Sequence, residues 1–383
     1  MRKIKINNWK WVIEDPALLH GWFERWEDFA RDSAVKKNPV RTVFRVDDLF
    51  YVKVEQPFEF RRQIRSFLLP KAEREFLVAR ALEAEGVPVV KHLGWAKCGS
   101  SNMLLTEAVP DARSVLEYWH SEIIYGNTAK KKFLESFCAF LKQFFASGFY
   151  HPDFHTGNIL YSPATESFLL VDVYGLSRPE KLSGRQIDTH SRIFLELAAR
   201  LSDKEACELL MKVRDDFSPE DALDFWRKGL AQKALAANKN WPKRQAQIQE
   251  NYSKFISVVN KGDIAFLVRK QPGAVPAVAS DKIPDCLNGN YFDIMRLPHD
   301  EAENLWLKSF RLELIGIDHP RPLVFEKPGV LYFEKIPESS PEASGNKAQE
   351  YIARAENAGV KIDADSLRQL PNERIVSTKA LFA

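Results

Sequence analysis

With 383 residues the chain is too long for one ordinary core, and two or three domain-sized units are expected. Its 45% hydrophobic and 28% charged residues are ordinary for a soluble globular protein, and a net charge of only +3 excludes a dedicated nucleic-acid binder while leaving room for loose attraction to anionic surfaces. Cys98, Cys138, Cys207 and Cys286 are far apart with no C-x-x-C pair, which excludes a disulfide or zinc framework and predicts reduced thiols in a cytosolic protein. No apolar leader follows Met1, and no run approaches about 18 apolar residues, so neither a signal peptide nor a membrane span is expected.

Residues 8–31 carry Trp9, Trp11, Leu18, Leu19, Trp22, Phe23 and Trp26 among charges, which predicts a strand-like start and then an amphipathic helix. These aromatics either cap a core or form a membrane-surface face. Thr42–Val46 and Leu49–Val54 read as strands joined by a hairpin turn at Asp47-Asp48. Residues 71–85 are rich in helix formers, with Phe76, Ala79 and Leu82 on one face and Gly86 as the stop. Strands follow near Lys91–Lys97 and Met103–Val109. This order of strands, helix and two strands is that of the small lobe of a kinase-like fold. Phe133–Phe145 is apolar all round, as a buried helix would be, and helical patterns run from about 187 to 257.

His151-Pro-Asp153-Phe-His155-Thr-Gly-Asn158-Ile-Leu160 places a carboxylate five residues before an amide, and Asp172 follows fourteen residues later at the end of the apolar strand Phe168–Val171. Phosphoryl transfer from a nucleotide needs this set: one Asp at the acceptor hydroxyl, an Asn and a second Asp for the metal. Asp153 is therefore the candidate base. Asn158 and Asp172 are the candidate ligands of Mg²⁺, which takes one or two carboxylates plus phosphate and water oxygens. His155 stands where protein kinases place a Lys. Gly175 comes three residues after Asp172, not two, a departure from Asp-Phe-Gly. Lys53 alternates with apolar residues in its strand and would meet nucleotide phosphates, held by Glu75, with Glu73 as a rival. No Gly-rich loop precedes Lys53; Lys36, Lys37 and Arg41 occupy its place. Thr106–Val109 would be the hinge, with backbone groups of Glu107 and Val109 bonding adenine. Arg61, Arg62, Arg65 and Lys71 form a basic patch that would either meet an anionic acceptor or simply be solvated.

The rest of the chain contains an internal echo. Leu307–Gly316 followed by Val330–Pro337 parallels Leu77–Gly86 followed by Met103–Pro110, and Ala358–Asp363 faintly parallels Ser147–Asp153. In this register Leu305 stands where the first copy has Glu75, and no Asp-x4-Asn hairpin follows. Residues 258–383 read as either a degenerate, inactive kinase-like half or an unrelated α/β appendage. Pro337–Gly345 has the composition of a loop or linker. The expected organisation is an α+β, two-lobed protein-kinase-like fold: 1–110 as the small lobe, 111–257 as the helical lobe with the catalytic hairpin, and 258–383 as an additional C-terminal segment.

At these residues the chain resembles the lipopolysaccharide kinase family, the Kdo kinase and heptose kinase group. Tyr150-His-Pro-Asp153-x-His155-x-Gly-Asn158-Ile-Leu160 is similar to its catalytic loop, and the Arg74-Glu75 helix ending at Gly86-Val-Pro to its αC segment. The resemblance covers roughly 40–200. It implies ATP- and Mg²⁺-dependent phosphorylation of a sugar hydroxyl of the lipopolysaccharide inner core, in the cytoplasm and at the cytoplasmic face of the inner membrane. It also implies the roles given above for Asp153, Asn158, Asp172, Lys53 and Glu75. The same loop resembles aminoglycoside and choline phosphotransferases and, more distantly, RIO-type protein kinases. A nucleotide-binding scaffold without catalysis is the remaining alternative.

Overall fold

The computed structural model describes residues 1–121, 127–249, 256–269, 292–315, 317–334, 340–357, 360–369 and 375–377. Cys286, Gly316, Pro337–Ser339 of the expected linker, and Ala358-Gly359 of the faint echo lie outside them. The chain forms two compact units: Met1–Val115 with Glu135–His190, and Leu116–Leu134 with Ser191–Ala383.

The first unit is built on an antiparallel sheet. It begins with a hairpin, β1 (Arg2–Ile6) and β2 (Trp9–Ile13), followed by two short 3-10 turns and α1 (Trp26–Asp32). The strand near residue 8 therefore belongs to a sheet edge, and the helix is confined to the last third of the expected stretch. Next come β3 (Ala34–Lys37), β4 (Arg41–Val46) and β5 (Phe50–Glu55). Asp47 and Asp48 both have positive φ, 47° and 56°, in a three-residue connection in which Leu49 N–H donates to Val46 O and Val46 stands opposite Phe50. Then follow α2 (Phe60–Leu68), which the sequence reading treated only as a basic patch, α3 (Lys71–Ala84), β6 (His92–Cys98), β7 (Ser101–Glu107) and β8 (Arg113–Ser114). The strands lie in the order β1-β2-β6-β7-β5-β4-β3. One sheet face packs Trp9, Trp11, Trp22, Phe23, Phe44, Phe50 and Val52 into an aromatic-rich core. The N-terminal aromatics thus pack on that core, Trp9, Trp11, Trp22 and Phe23 buried and Trp26 partly so. The other face takes α3 through Ala72, Phe76, Trp95 and Leu104.

After α4 (Val115–Ser121) comes α5 (Asn127–Ala146), whose Phe137, Phe140 and Phe144 are buried in the first unit. The hairpin of β9 (Ile159–Ser162) and β10 (Ser167–Leu170) pairs with β8, and α6 (Gly184–Ser191) closes the unit.

The second unit contains α7 (Asp203–Val213), α8 (Pro219–Gln249), β11 (Ile256–Lys261), β12 (Ile264–Arg269), β13 (Phe292–Arg296), α9 (His299–Leu314), β14 (Pro322–Glu326), β15 (Val330–Glu334), α10 (Gly345–Asn357), β16 (Leu367–Gln369) and β17 (Ile375–Ser377). Strand β11 starts at Ile256, so the expected helix to 257 runs past the strand start. The main sheet has the order β11-β12-β14-β15-β13. That is the order of β1-β2-β6-β7-β5, and the pairings that have counterparts are all antiparallel.

The correspondence extends to single residues. The buried positions Ala72, Phe76, Ala79 and Leu82 of α3 map at a constant offset onto Ala302, Trp306, Ser309 and Leu312 of α9, all buried. The Val87 N–H donates to Leu82 O at 2.9 Å, and Ile317 N–H to Leu312 O at 2.9 Å. Likewise Glu107 N–H donates to Lys91 O, and Glu334 N–H to Arg321 O. Lys53 stands opposite Leu104 across the sheet, and Met295 stands opposite Leu331. The counterparts of Lys53 and Glu75 are therefore Met295 and Leu305, both packed against the apolar core beneath α9.

Candidate active site

The period-2 alternation of β5 decides where Lys53 points. Phe50, Val52 and Val54 enter the aromatic core, so Lys53 projects from the opposite face, toward α3. There Glu75, 3% exposed, meets it: Lys53 Nζ lies 2.6 Å from Glu75 Oε1. Glu73 is only half-buried, and Glu75 rather than Glu73 takes the contact. Burial alone would raise the Glu75 carboxyl; Lys53 beside it and His92, 3.9 Å away, outweigh burial and hold it at about 2. Burial would likewise push the Lys53 ammonium down, and the charges of Glu75 and Asp172 raise it instead. Lys53 Nζ also reaches Asp172 Oδ1 at 3.2 Å, so one ammonium joins strand, helix and the segment after β10.

Asp172 is held there by backbone. Leu170 N–H donates to Pro88 O, and Val90 N–H to Leu170 O, which ties β10 to the turn after α3. Val171 N–H donates to Asn158 O and closes the candidate hairpin. Asp172 itself adopts φ +54°, a left-handed conformation that Asp tolerates better than most residues but that still costs energy. Two residues on, the Tyr174 ring lies under Lys71 and Arg74, at 5.4 and 5.5 Å. Gly175 follows at φ +93°.

Around the loop, three imidazoles accept from backbone: His151, His155 and, from α6, His190. His151, 1% exposed, accepts the Asp153 N–H at its Nδ1, 3.1 Å away. His190 Nε2 accepts the His151 N–H at 3.0 Å. Burial pushes both imidazoles down, His190 to about 4, so both are neutral near pH 7. His190 packs among Phe144, Phe145, Tyr150 and Phe154, with ring centroids 4.9 to 5.5 Å apart. His155 Nδ1 accepts the Gly157 N–H at 3.0 Å, which places the proton of a neutral His155 on Nε2. That Nε2 lies 3.7 Å from Asp153 Oδ2. A Cβ at Gly157 would come within 3.0 Å of the His155 ring, so the glycine lets this turn close. The Asp153 side chain is 80% exposed and open to an incoming group. Asn158 Nδ2 donates to Asp153 O at 3.1 Å, which fixes the amide and leaves its Oδ1 as a free-facing acceptor.

Lys53, Glu75, Asp153, His155, Asn158 and Asp172 thus all lie in the first unit, with Lys53 ion-paired to both Glu75 and Asp172 and with Asp153, His155 and Asn158 on one loop. At the expected hinge, Glu107 N–H is committed to Lys91 O and Ala108 N–H to Leu49 O, while the Val109 N–H makes no backbone bond among the described residues. Lys36 and Lys37 are exposed on β3. Arg41 is not: it grips Glu55 with Nε and a terminal nitrogen, at 3.0 and 2.8 Å, and stands 3.8 Å from Asp172. Lys71 adds a third contact to Glu55 at 3.1 Å.

In the sequence Arg41 stands only as part of a basic run, and His190 has no pattern around it. The first had a signal, its placement one strand before Lys53. The second had none, since it lies 39 residues beyond its partner.

The donor set suits a hard cation: the oriented Asn158 oxygen and the Asp172 carboxylate supply oxygen ligands, leaving phosphate and water to complete an octahedron. Among the described residues no group of three or more His, Cys, Asp or Glu could hold a metal, so a cage made of such protein ligands alone is not what this site offers. No curated protein matches the chain. Residues 38–179 match the lipopolysaccharide kinase (Kdo/WaaP) family. That span runs from the turn before β4 to just beyond Gly175, it contains every residue of the constellation, and over it the chain carries a domain of the lipopolysaccharide kinase (Kdo/WaaP) family.

Proposed function

We infer that the protein is an ATP- and Mg²⁺-dependent kinase, two-lobed and protein-kinase-like, that phosphorylates a sugar hydroxyl, Kdo or heptose, of the lipopolysaccharide inner core. The observation that carries this reading is the Glu75–Lys53–Asp172 chain of contacts at 2.6 and 3.2 Å, set in the same unit as a hairpin that presents Asp153 and Asn158.

Lys53 is positioned by Glu75 to meet the α/β-phosphates of the nucleotide. Arg41 adds cationic character next to Asp172, in the absence of a glycine-rich cradle. Glu107 and Val109 offer hinge backbone to adenine. Asn158 and Asp172 would hold Mg²⁺, which when bound neutralises phosphate charge. Asp153 orients the acceptor hydroxyl and takes its proton late in transfer. His155 carries its proton on the nitrogen that faces Asp153 and can steady the carboxylate as the hydroxyl approaches.

The second sheet is read as a degenerate copy of the first. What supports this is the shared strand order and the helix offset; what disarms it is Met295 and Leu305 in place of the ion pair. Catalysis is assigned to the first unit alone.

The test is mass spectrometry of acceptors incubated with the protein and Mg-ATP. A gain of about 80 Da, one phosphoryl group, on a Kdo- or heptose-containing core fragment supports the reading. The same gain on an aminoglycoside, choline or a protein instead would move it to the neighbouring kinase classes. Nucleotide binding with no transfer to any acceptor would leave a scaffold.

A further inference from the structure

Helix α2 is amphipathic in the wrong sense for a soluble protein. Phe60, Ile64, Phe67 and Leu68 fall at i, i+4, i+7 and i+8, a single apolar stripe. Such a stripe normally faces the core. Here the polar side faces inward: Ser66 Oγ donates to Ser100 O at 2.6 Å and accepts from Asn102 Nδ2 at 3.0 Å. The stripe faces out, with Phe60, Ile64, Phe67 and Leu68 exposed by 74, 47, 55 and 67%. Phe58 and Leu69 extend it at either end. Six of the fourteen exposed large apolar side chains among the described residues fall within residues 58–69, so this is a patch, not scatter.

The charges beside the stripe indicate what covers it. Arg61, Arg62 and Arg65 are all exposed, and Lys97 stands 5.8 Å over the Phe67 ring. Below the helix, Arg62, Arg65, Lys71, Ser66 and Tyr174 line a cavity of about 210 Å³ that also reaches Glu55. Apolar side chains flanked by arginines, on a helix too short to span, match the interface of an anionic bilayer, where rings and aliphatic groups enter the acyl boundary and guanidinium groups meet phosphates. Among the described residues no helix is long and apolar enough to cross a membrane, so contact would be interfacial.

We propose that α2 docks this protein on an anionic phospholipid surface, its apolar stripe in the acyl boundary and its arginines among the headgroups. Because α2 leads directly into α3, the docked helix holds the Lys53–Glu75 site beside the lipid surface. The proposal rests on the exposed stripe and agrees with a glycolipid acceptor without depending on one.

The test is flotation of the full chain with vesicles, without nucleotide or acceptor. Wild type should float with phosphatidylglycerol-containing vesicles, weakly with phosphatidylcholine alone, and less as salt rises. Phe60→Glu/Leu68→Glu should lower partition by at least about tenfold, since each ring or aliphatic side chain lost from the boundary exceeds that factor. Arg61→Glu/Arg65→Glu should abolish the preference for phosphatidylglycerol. Thermal unfolding and Mg-ATP binding should stay as in wild type in both variants, which separates lost docking from lost folding. Wild type that stays with the soluble fraction overturns the proposal, as does equal flotation of the apolar variant. A dimer, or a soluble protein complex, that the apolar variant dissolves would assign the stripe to that occupant and overturn it too. Failure here leaves the kinase reading intact, and failure of transfer to a core sugar leaves this one intact.

Discussion

Replacing Glu75 by Leu tests the ion pair directly, because Leu is the residue, Leu305, at the corresponding position of α9 in the second unit. The pair is buried and bonded at 2.6 Å, with the Glu75 side chain 4% exposed. Removing one partner of a buried pair strands the other, at about 3–5 kcal/mol. Lys53 keeps Asp172 at 3.2 Å, which puts Glu75→Leu near the lower end, about 3 kcal/mol. Proton linkage gives a similar figure. The Glu75 carboxyl is held at about 2 against an ordinary 4.5, a depression worth on the order of 3 kcal/mol. A depressed carboxylate stabilises fully above its unfolded value, so this contribution is present above pH 4.5 and is lost as pH falls toward 2. The double variant Lys53→Met/Glu75→Leu copies Met295 and Leu305 and removes both charges, which for buried pairs is often neutral or stabilising. Urea unfolding followed by tryptophan fluorescence should place the single variant about 3 kcal/mol below wild type and return the double variant to within about 1 kcal/mol of it, with transfer abolished in both. A single variant within about 0.5 kcal/mol of wild type, or a double variant no better than the single, would refute the reasoning.

Acid should loosen the loop that carries Asp153 in a separate window. His190 is held neutral with its pKa at about 4 against 6.5, so the unfolded chain binds the proton first; stability is full above 6.5 and falls as pH drops from 6.5 toward 4, by on the order of 3 kcal/mol. His190→Phe keeps the stack on Phe144 and Phe154 and should flatten that limb in urea titrations between about pH 7 and pH 5. Asp172→Asn tolerates the left-handed backbone but loses the charge; its thermal unfolding should match wild type while calorimetry finds Mg-ATP affinity lowered at least about tenfold.

Much of the site was legible because the chemistry is local. Asp153, His155 and Asn158 share one turn, and the alternation around Lys53 fixes its face. The hairpin at Asp47-Asp48 and the stop at Gly86 followed from residue types that tolerate positive φ. The recurring framework was visible as well, since Leu77–Gly86 and Leu307–Gly316 carry the same spacing. What escaped was long-range or inverted. The His190 anchor has no local pattern. Of the N-terminal hairpin only the strand-like start near Trp9 is legible; β1 is fixed by its pairing with β2. The α2 stripe was present in the spacing of Phe60, Ile64, Phe67 and Leu68, but its three arginines drew the reading to charge alone.

The central claim is that Asp153, in the same unit as the Lys53–Glu75 pair, would take the proton of a core-sugar hydroxyl as that oxygen receives the γ-phosphate of ATP. The most direct measurement is single-turnover transfer of labelled γ-phosphate to a Kdo- or heptose-containing fragment, wild type against Asp153→Asn, with Mg-ATP affinity measured on both. The account predicts transfer by wild type, a loss of at least about a hundredfold in the variant, and equal nucleotide affinity. Equal transfer rates in the two proteins would contradict it.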